Sequence, residues 1–274
     1  MFRGIAIAAC ALAAAGCGER GEPLGPQEEL FPLTITTGER SLTIPAPPQR
    51  IVVLDGGPEA ILEAIGAGDR VVASDAGASD LPALRPDLVV APSTADEREL
   101  SAADAAGAPV YVTPDTSITE VERAITQLGT IVGEPAAARR RVSDIEQRRQ
   151  RVARALRGQP RTTVFVDLGR RTTASDRTLI GDLVREARGR NVAGDAPSGL
   201  EVGVSQLLAF DPAVYVSAGG PTLEQLRRGV RTRTLRAVRS KRVYVVDRRL
   251  LTAGPAIGAG LEALARALHP DAVR

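Results

Sequence analysis

The chain has 274 residues, 43% hydrophobic and 25% charged, which is the balance of a globular protein with a core of its own rather than a disordered one. Lys+Arg 35 against Asp+Glu 33 gives a net charge of +2, and this balance predicts no general basic surface for nucleic acid. One histidine, no tryptophan and two cysteines, both within the first 17 residues, exclude a histidine-rich metal centre and a disulfide framework.

The N-terminus has the parts of an export signal. Arg3 precedes an apolar run from Gly4 to Gly16, shorter than the about 20 residues a membrane-crossing helix needs. Ala14-Ala15-Gly16-Cys17 resembles a bacterial lipobox, with Leu12 two residues before Ala14, which stands where Leu is usual. The expectation is a signal peptide over 1–16, cleavage before Cys17 and lipid on its sulfur. The alternative is an ordinary signal with incidental cysteines. Residues 17–30 are polar and rich in Gly, Pro and Glu, and read as a flexible tether.

Leu33 to Pro45 alternates around Thr37-Gly38-Glu39 and predicts an edge hairpin. RIVVLD from Arg50 to Asp55 is a continuous apolar run, the mark of a buried parallel strand. A short helix follows, ended by Gly66 and Gly68. Further strands are predicted over 70–75, 87–91 and 110–113, with a helical turn and a helix (97–106) between them. Strands alternating with helices predict parallel βαβ units.

From Thr119 to Leu156 no strand is predicted. Apolar residues recur at Val121, Ile125, Leu128 and Val132, and again at Val142, Ile145, Val152 and Leu156, with Pro135 placed to start the second helix. The α/β rhythm then resumes. Strands are predicted over 161–169, 213–218 and 242–247, and helices from Ile180 to near Gly189, in SQLLAFDP (205–212), in PTLEQLRRG (221–229), and over 256–268.

The stretches PPQRIVVLDGGPEAILEAIGAGDRVVASD, LRPDLVVAPS, GTIVGEPAAARRR, FVDLG, SQLLAFDPAVYVSA and LRAVRSKRVYVVD, in this order, resemble the substrate-binding lipoproteins of bacterial ABC importers for cobalamin and iron-siderophores, the Fe/B12 periplasmic-binding domain family. The resemblance spans about Arg50 to Leu268. It implies an α/β fold of two Rossmann-like lobes with parallel-rich sheets, joined by a long rigid backbone helix, with a ligand cleft between the lobes. The implied division is an N-terminal lobe with its hairpin over 31–118, a linker and bridging helix over 119–158, and a C-terminal lobe over 159–274. It implies a monomer, anchored by lipid on the extracytoplasmic face of the membrane, that captures an iron-siderophore, a corrinoid or a similar small ligand. An ABC permease and ATPase complex would receive that ligand. No enzymatic step, cofactor or nucleic acid enters this reading.

In open α/β sheets ligands sit beyond the carboxyl ends of the strands. The expected ligand-binding residues are therefore Asp55, Gly56, Pro58, Asp75, Ser93 and Asp115 on the first lobe, and Arg170, Arg171, Gly219 and Arg248 on the second. A cleft with Arg170, Arg171, Arg248 and Arg249 on one lobe suits an anionic ligand such as a carboxylate-type iron chelate. The alternative is that these arginines are solvated or paired with acids of the other lobe. Asp55, Glu59, Asp75 and Asp115 could in principle form a hard-cation site, but Asp55 and Asp75 read better as caps of the following helices. The tyrosines fall inside predicted strands and His269 lies beyond the last helix, which disfavours direct haem ligation or a histidine metal site. The family resemblance also implies an acid on each lobe facing the permease. Here Asp80 is the nearest on the first lobe, and Glu201 on the second, where Ser205 holds the usual position. Two other readings are carried: a lipoprotein of the same fold used for sensing or adhesion, and, less favoured, a divalent-metal-binding protein or an enzyme.

Overall fold

The structure, a computed structural model, describes residues 31–37, 40–54 and 56–273. The expected signal peptide, the lipidation candidate Cys17, the expected tether and Asp55 lie outside the described residues.

A hairpin opens the described chain, with β1 (Leu33–Thr37) antiparallel to β2 (Arg40–Ile44). The first parallel sheet follows, in the order β4-β3-β5-β6. Its strands are β3 (Ile51–Val53), β4 (Val71–Ser74), β5 (Leu88–Pro92) and β6 (Val110–Thr113). The central strands β3 and β5 are buried on both faces from Ile51 to Val53 and from Leu88 to Ala91, as their unbroken apolar runs require. Their helices are α1 (Gly56–Ala64), α2 (Leu81–Leu84) and α3 (Glu97–Ala105). Asp96 and Glu99 form a reciprocal capping box at the start of α3, which fixes where that helix begins.

The second sheet is also parallel, in the order β10-β9-β7-β8. It consists of β7 (Thr162–Asp167), β8 (Gly189–Asn191), β9 (Val214–Ser217) and β10 (Val243–Val245). Around it lie α6 (Leu179–Glu186), α7 (Val204–Phe210), α8 (Leu223–Arg228), α9 (Arg236–Arg239) and α10 (Ile257–Leu268). Strand β8 has no counterpart in the sequence reading, which carried the preceding helix to Gly189. A Cβ at Gly189 would fall 2.6 Å from Val184 Cγ1 and 2.9 Å from Leu268 Cδ1, so the chain crosses there at a spacing only glycine permits. The reading also has no element between Gly229 and Arg242, where the structure forms a 3-10 turn (Thr232–Thr234) and α9.

Two helices connect the sheets. α4 (Ile118–Ile131) is capped by Ser117 and buries Val121, Ile125 and Leu128 at helical spacing. α5 (Pro135–Ala155) begins with proline at its first position, where a missing N–H costs nothing. α5 packs on both α4 and α10. A continuous apolar core runs from Ile51 through Leu128 and Ile145 to Val166 and Leu264, so one hydrophobic body supports both sheets.

Polar ties reinforce that body. Arg149 of α5 donates from Nη1 to Glu122 Oε2 of α4 at 2.7 Å, and from Nη2 to Glu186 Oε1 of α6 at 2.6 Å. The backbone N–H of Ile118 donates to Asp182 Oδ2 at 2.8 Å in buried surroundings. Arg148 and Arg151 both reach Glu262 of α10. Burial raises the Glu122 carboxyl above its ordinary range, against the opposing pull of Arg149, and its Oε1 is buried without a partner.

Candidate functional site

A cavity of about 1140 Å³ opens beyond the carboxyl ends of the strands, between the two sheets. The first sheet contributes the start of α1 (Gly56, Gly57, Pro58, Glu59), the turn Pro92-Ser93-Thr94 after β5, and Thr113 to Thr116 after β6. The second contributes Ala174, Arg177 and Thr178 ahead of α6, and the segment 248–256 after β10, apart from Leu250. Its floor is apolar, with Ile61, Val121, Leu179, Ile180 and Leu251. Its walls differ in charge. Glu59, Glu63 and Asp115 come from the first sheet, and Arg177, Arg248 and Arg249 from the second. No aromatic side chain lines the cavity among the described residues.

Local structure holds these groups in place. Ser93 Oγ donates to Asp115 Oδ1 at 2.6 Å, which joins the loops after β5 and β6 and fixes the carboxylate. Asp247 accepts from the Arg249 backbone N–H at 2.9 Å and caps a 3-10 turn, Arg248–Leu251. That turn rests on α10 so closely that a Cβ at Gly260 would fall 1.8 Å from Leu250 O. Arg248 Nη1 donates to Leu168 O at 3.2 Å, so its guanidinium keeps several donors for another partner. Arg177 is exposed and follows Asp176, whose backbone and carboxylate press against Gly181 and Gly194. Any side chain at either glycine would displace that turn.

Of the residues expected from the sequence, Gly56, Pro58, Ser93, Asp115 and Arg248 line this cavity. Asp75, Arg170, Arg171 and Gly219 do not. Asp75 is exposed at the end of β4, an edge strand, with φ 54. The loop after β7 turns the other way. Leu168 N–H donates to Thr172 O and Thr172 N–H to Gly169 O, while Thr172 bridges to Glu201. Arg171 then donates from Nη2 to Glu201 Oε1 at 2.5 Å and from Nε to Val202 O at 2.9 Å. Arg170 is exposed with φ 53, and Gly219 serves as the packing partner of this loop, 3.0 Å from Leu168 O when a Cβ is built on it. Beneath the loop, fully buried Asp167 accepts from the N–H groups of Gly169 and Arg171 and from the Tyr215 hydroxyl. Burial, and then Asp167, push the Tyr215 phenol well above its ordinary value.

The acids expected to face a permease differ in state. Asp80 is exposed at the N-cap of α2, where its Oδ2 accepts from Gly77 N–H at 3.2 Å. Glu201 is engaged by Arg171, and Ser205 Oγ accepts from Arg231 at 2.9 Å. Arg177 and Glu63 are cavity residues that the sequence reading does not contain. The signal for Arg177 is the Gly181 and Gly194 pair, which a single sequence does not join to Asp176.

The described lining of the cavity brings together carboxylates and guanidiniums and holds no histidine or cysteine. Among the described residues no group of three or more His, Cys, Asp or Glu is placed to hold a metal ion. The chain is 26% identical to an uncharacterized ABC transporter substrate-binding lipoprotein, YvrC, of Bacillus subtilis (strain 168), over 97% of this chain and 96% of that one. It is 26% identical to a cobalamin-binding protein of Halobacterium salinarum over 68% of this chain and 58% of that one. The fold is similar to Ceue of Helicobacter pylori with Ni(II) bound, at TM-score 0.79 and 16% identity, covering 88% of this chain and 90% of that one. It is also similar to the periplasmic vitamin B12 binding protein BtuF of Vibrio cholerae, at TM-score 0.70 and 21% identity, covering 82% and 98%. The family model for periplasmic binding proteins matches residues 80–250, well over half of the chain, and the protein belongs to that family of non-enzymatic, two-lobed binding proteins.

Proposed function

We propose that this chain is the extracytoplasmic substrate-binding lipoprotein of an ABC importer. It captures an iron-siderophore, a corrinoid or a similar small ligand and delivers it to a permease and ATPase complex. Cys17 carries the lipid after removal of residues 1–16, and residues 17–30 tether the binding body. The lobes are 31–118 and 159–274, linked through 119–158.

One observation carries the ligand reading. The cavity is large, has no described aromatic lining, and sets Arg177, Arg248 and Arg249 opposite Glu59 and Asp115. Ligands gripped by flat aromatic faces find no partner in that lining. A ligand bearing carboxylates finds bidentate guanidiniums, and its amide or hydroxyl groups find carboxylate acceptors. A carboxylate-type iron chelate therefore fits better than a corrinoid or haem. The test is a thermal-shift screen of ferric carboxylate and hydroxamate chelates, cobalamin and haem. A selective ligand raises the melting temperature according to its affinity. Stabilisation by haem or cobalamin with none by carboxylate chelates would reject the carboxylate preference. No stabilisation by any of them would reject the importer-ligand reading itself.

The sensing alternative rests on a specific observation as well. The acid expected on the second lobe, Glu201, is tied to Arg171 rather than free for a permease arginine. Loss of uptake on deleting the gene, restored by the intact chain, separates import from sensing.

A further inference from the structure

Between Gln225 and Val246 the chain contains no Asp or Glu. The same stretch exposes seven cations: six arginines from Arg227 to Arg239, and Lys241. They belong to one surface layer, because α8, the 3-10 turn Thr232–Thr234 and α9 all contact one another. Leu226, Leu235, Ala237 and Val238 turn inward to the core behind β9, which leaves the arginines outward. Arg228 pairs with Glu224 at 3.3 Å and Arg231 holds Ser205 Oγ. Among the described residues, no carboxylate pairs with the side chains of Arg227, Arg233, Arg236, Arg239 or Lys241. Val230, 74% exposed, stands in the middle of the band.

We propose that this band docks the second lobe onto an anionic phospholipid surface. Arginine forks match phosphate oxygens bidentately, and clusters of four to eight basic residues are the sequence mark of anionic-lipid binding. Neither the cavity between the sheets nor the shallow recess beside α5 borders the band, which offers charge and the exposed Val230 side chain. A fluid headgroup layer can adapt to such a surface, whereas a protein partner needs shape to gain specificity. Charge also sets the orientation. Residues 159–274 carry 19 basic and 11 acidic groups, and residues 31–118 carry 5 and 13. An anionic membrane attracts the former and repels the latter, so the second lobe lies against the lipid with the first lobe away from it.

The test uses the full chain with Cys17→Ser, which removes the proposed acyl anchor. It is sedimented with vesicles of phosphatidylcholine alone and of phosphatidylcholine mixed with phosphatidylglycerol. The expected result is binding to the mixed vesicles that exceeds binding to neutral ones and falls as salt is raised. Replacing Arg227, Arg233, Arg236 and Arg239 together with Gln weakens it by about a hundredfold or more. Replacing Arg139, Arg140 and Arg154 of α5, together with Arg157 just after it, with Gln removes the same charge elsewhere and changes binding far less. Equal losses in the two variants would mean that net charge acts rather than the band, and would overturn the proposal. Equal binding to both vesicle types would overturn it, and so would binding to neither. An intact thermal melt of each variant shows that folding is not the cause.

Discussion

The two lobes share an architecture and differ in charge. Each has four parallel strands with two central strands buried on both faces, yet residues 31–118 are net −8 and residues 159–274 are net +8. Charge is therefore not what specifies this fold. Apolar runs at β3, β5, β7 and β9 build both sheets, and the ionised groups are free to differ at the surface and around the cavity. The cavity inherits the difference directly, with carboxylates on one wall and arginines on the other. The overall charge of +2 hides all of this, which is why the balance of the whole chain is a poor guide to its surfaces.

The largest effect is expected where the two halves are tied. Arg149→Ala leaves Glu122 and Glu186 facing each other without their shared cation, and Glu122 is nearly buried. Breaking a buried pair from one side costs about 3–5 kcal/mol, discounted here because Arg149 is one-quarter exposed. Urea unfolding at neutral pH measures it. The pH dependence carries a sign. A carboxyl whose folded pKa is raised binds its proton more tightly when folded, so stability is lost as pH rises through that folded value. Removing Arg149, which opposes the rise, makes that loss larger. A variant whose stability is flat between acid and neutral pH would refute the clasp.

The next effect concerns the cavity walls. Arg177→Ala and Arg248→Ala are expected to weaken binding of an anionic ligand by about 2–5 kcal/mol each. Both side chains are exposed, so the melting temperature of the free protein stays nearly unchanged. Asp115→Asn on the opposite wall removes a negative charge and keeps one acceptor oxygen, so it should cost far less for the same ligand. Calorimetric titration separates the walls. If Asp115→Asn weakens binding as much as the arginine changes, the ligand is not selected by negative charge.

How far the fold was legible follows the same division. The buried strands, the long α5 and the hairpin were read from apolar periodicity, because burial leaves its period in the sequence. Strand β8 was not, since Gly189-Arg190-Asn191 is too short and polar to show one, and its glycine reports a contact with Leu268 that lies far along the chain. Loop direction was the weakest inference. The rule that sites lie beyond carboxyl ends points to Gly56, Ser93, Asp115 and Arg248, which line the cavity, but it says nothing about which way a loop bends. Buried Asp167 gathers two N–H groups of the loop after β7 and so bends Arg170 and Arg171 off the cavity. Arg177 reaches the lining because two distant glycines seat Asp176.

A smaller effect is expected at the far end of the second lobe. His269 is buried, and burial, followed by the neighbouring Arg242 and Arg188 charges against a hydrogen bond to Arg188 O, lowers its pKa from 6.5. The folded state then resists protonation that the unfolded chain accepts. Stability is complete above pH 6.5 and falls as pH drops below it. His269→Gln should flatten that fall. An unchanged pH profile in the variant would assign the acid sensitivity elsewhere.

The smallest effect sharpens the comparison of loops. Arg171 and Glu201 form an ion pair at the surface, with side chains 33% and 48% exposed. Exposed pairs contribute about 0–1 kcal/mol, because water already solvates both partners and two long side chains must be ordered. Arg171→Ala is therefore expected to move the melting temperature by no more than a few degrees. Its effect on ligand binding should be negligible, in contrast to Arg248→Ala, although both arginines follow parallel strands of the same sheet. The paired change Glu201→Gln releases Arg171 without removing it. If Glu201→Gln strengthens binding of an anionic ligand while Arg171→Ala weakens it, Arg171 swings from Glu201 into the cavity when the ligand arrives. If neither change moves binding, the arginine wall is Arg177, Arg248 and Arg249, and the loop after β7 serves to seat Arg248 through Leu168 O.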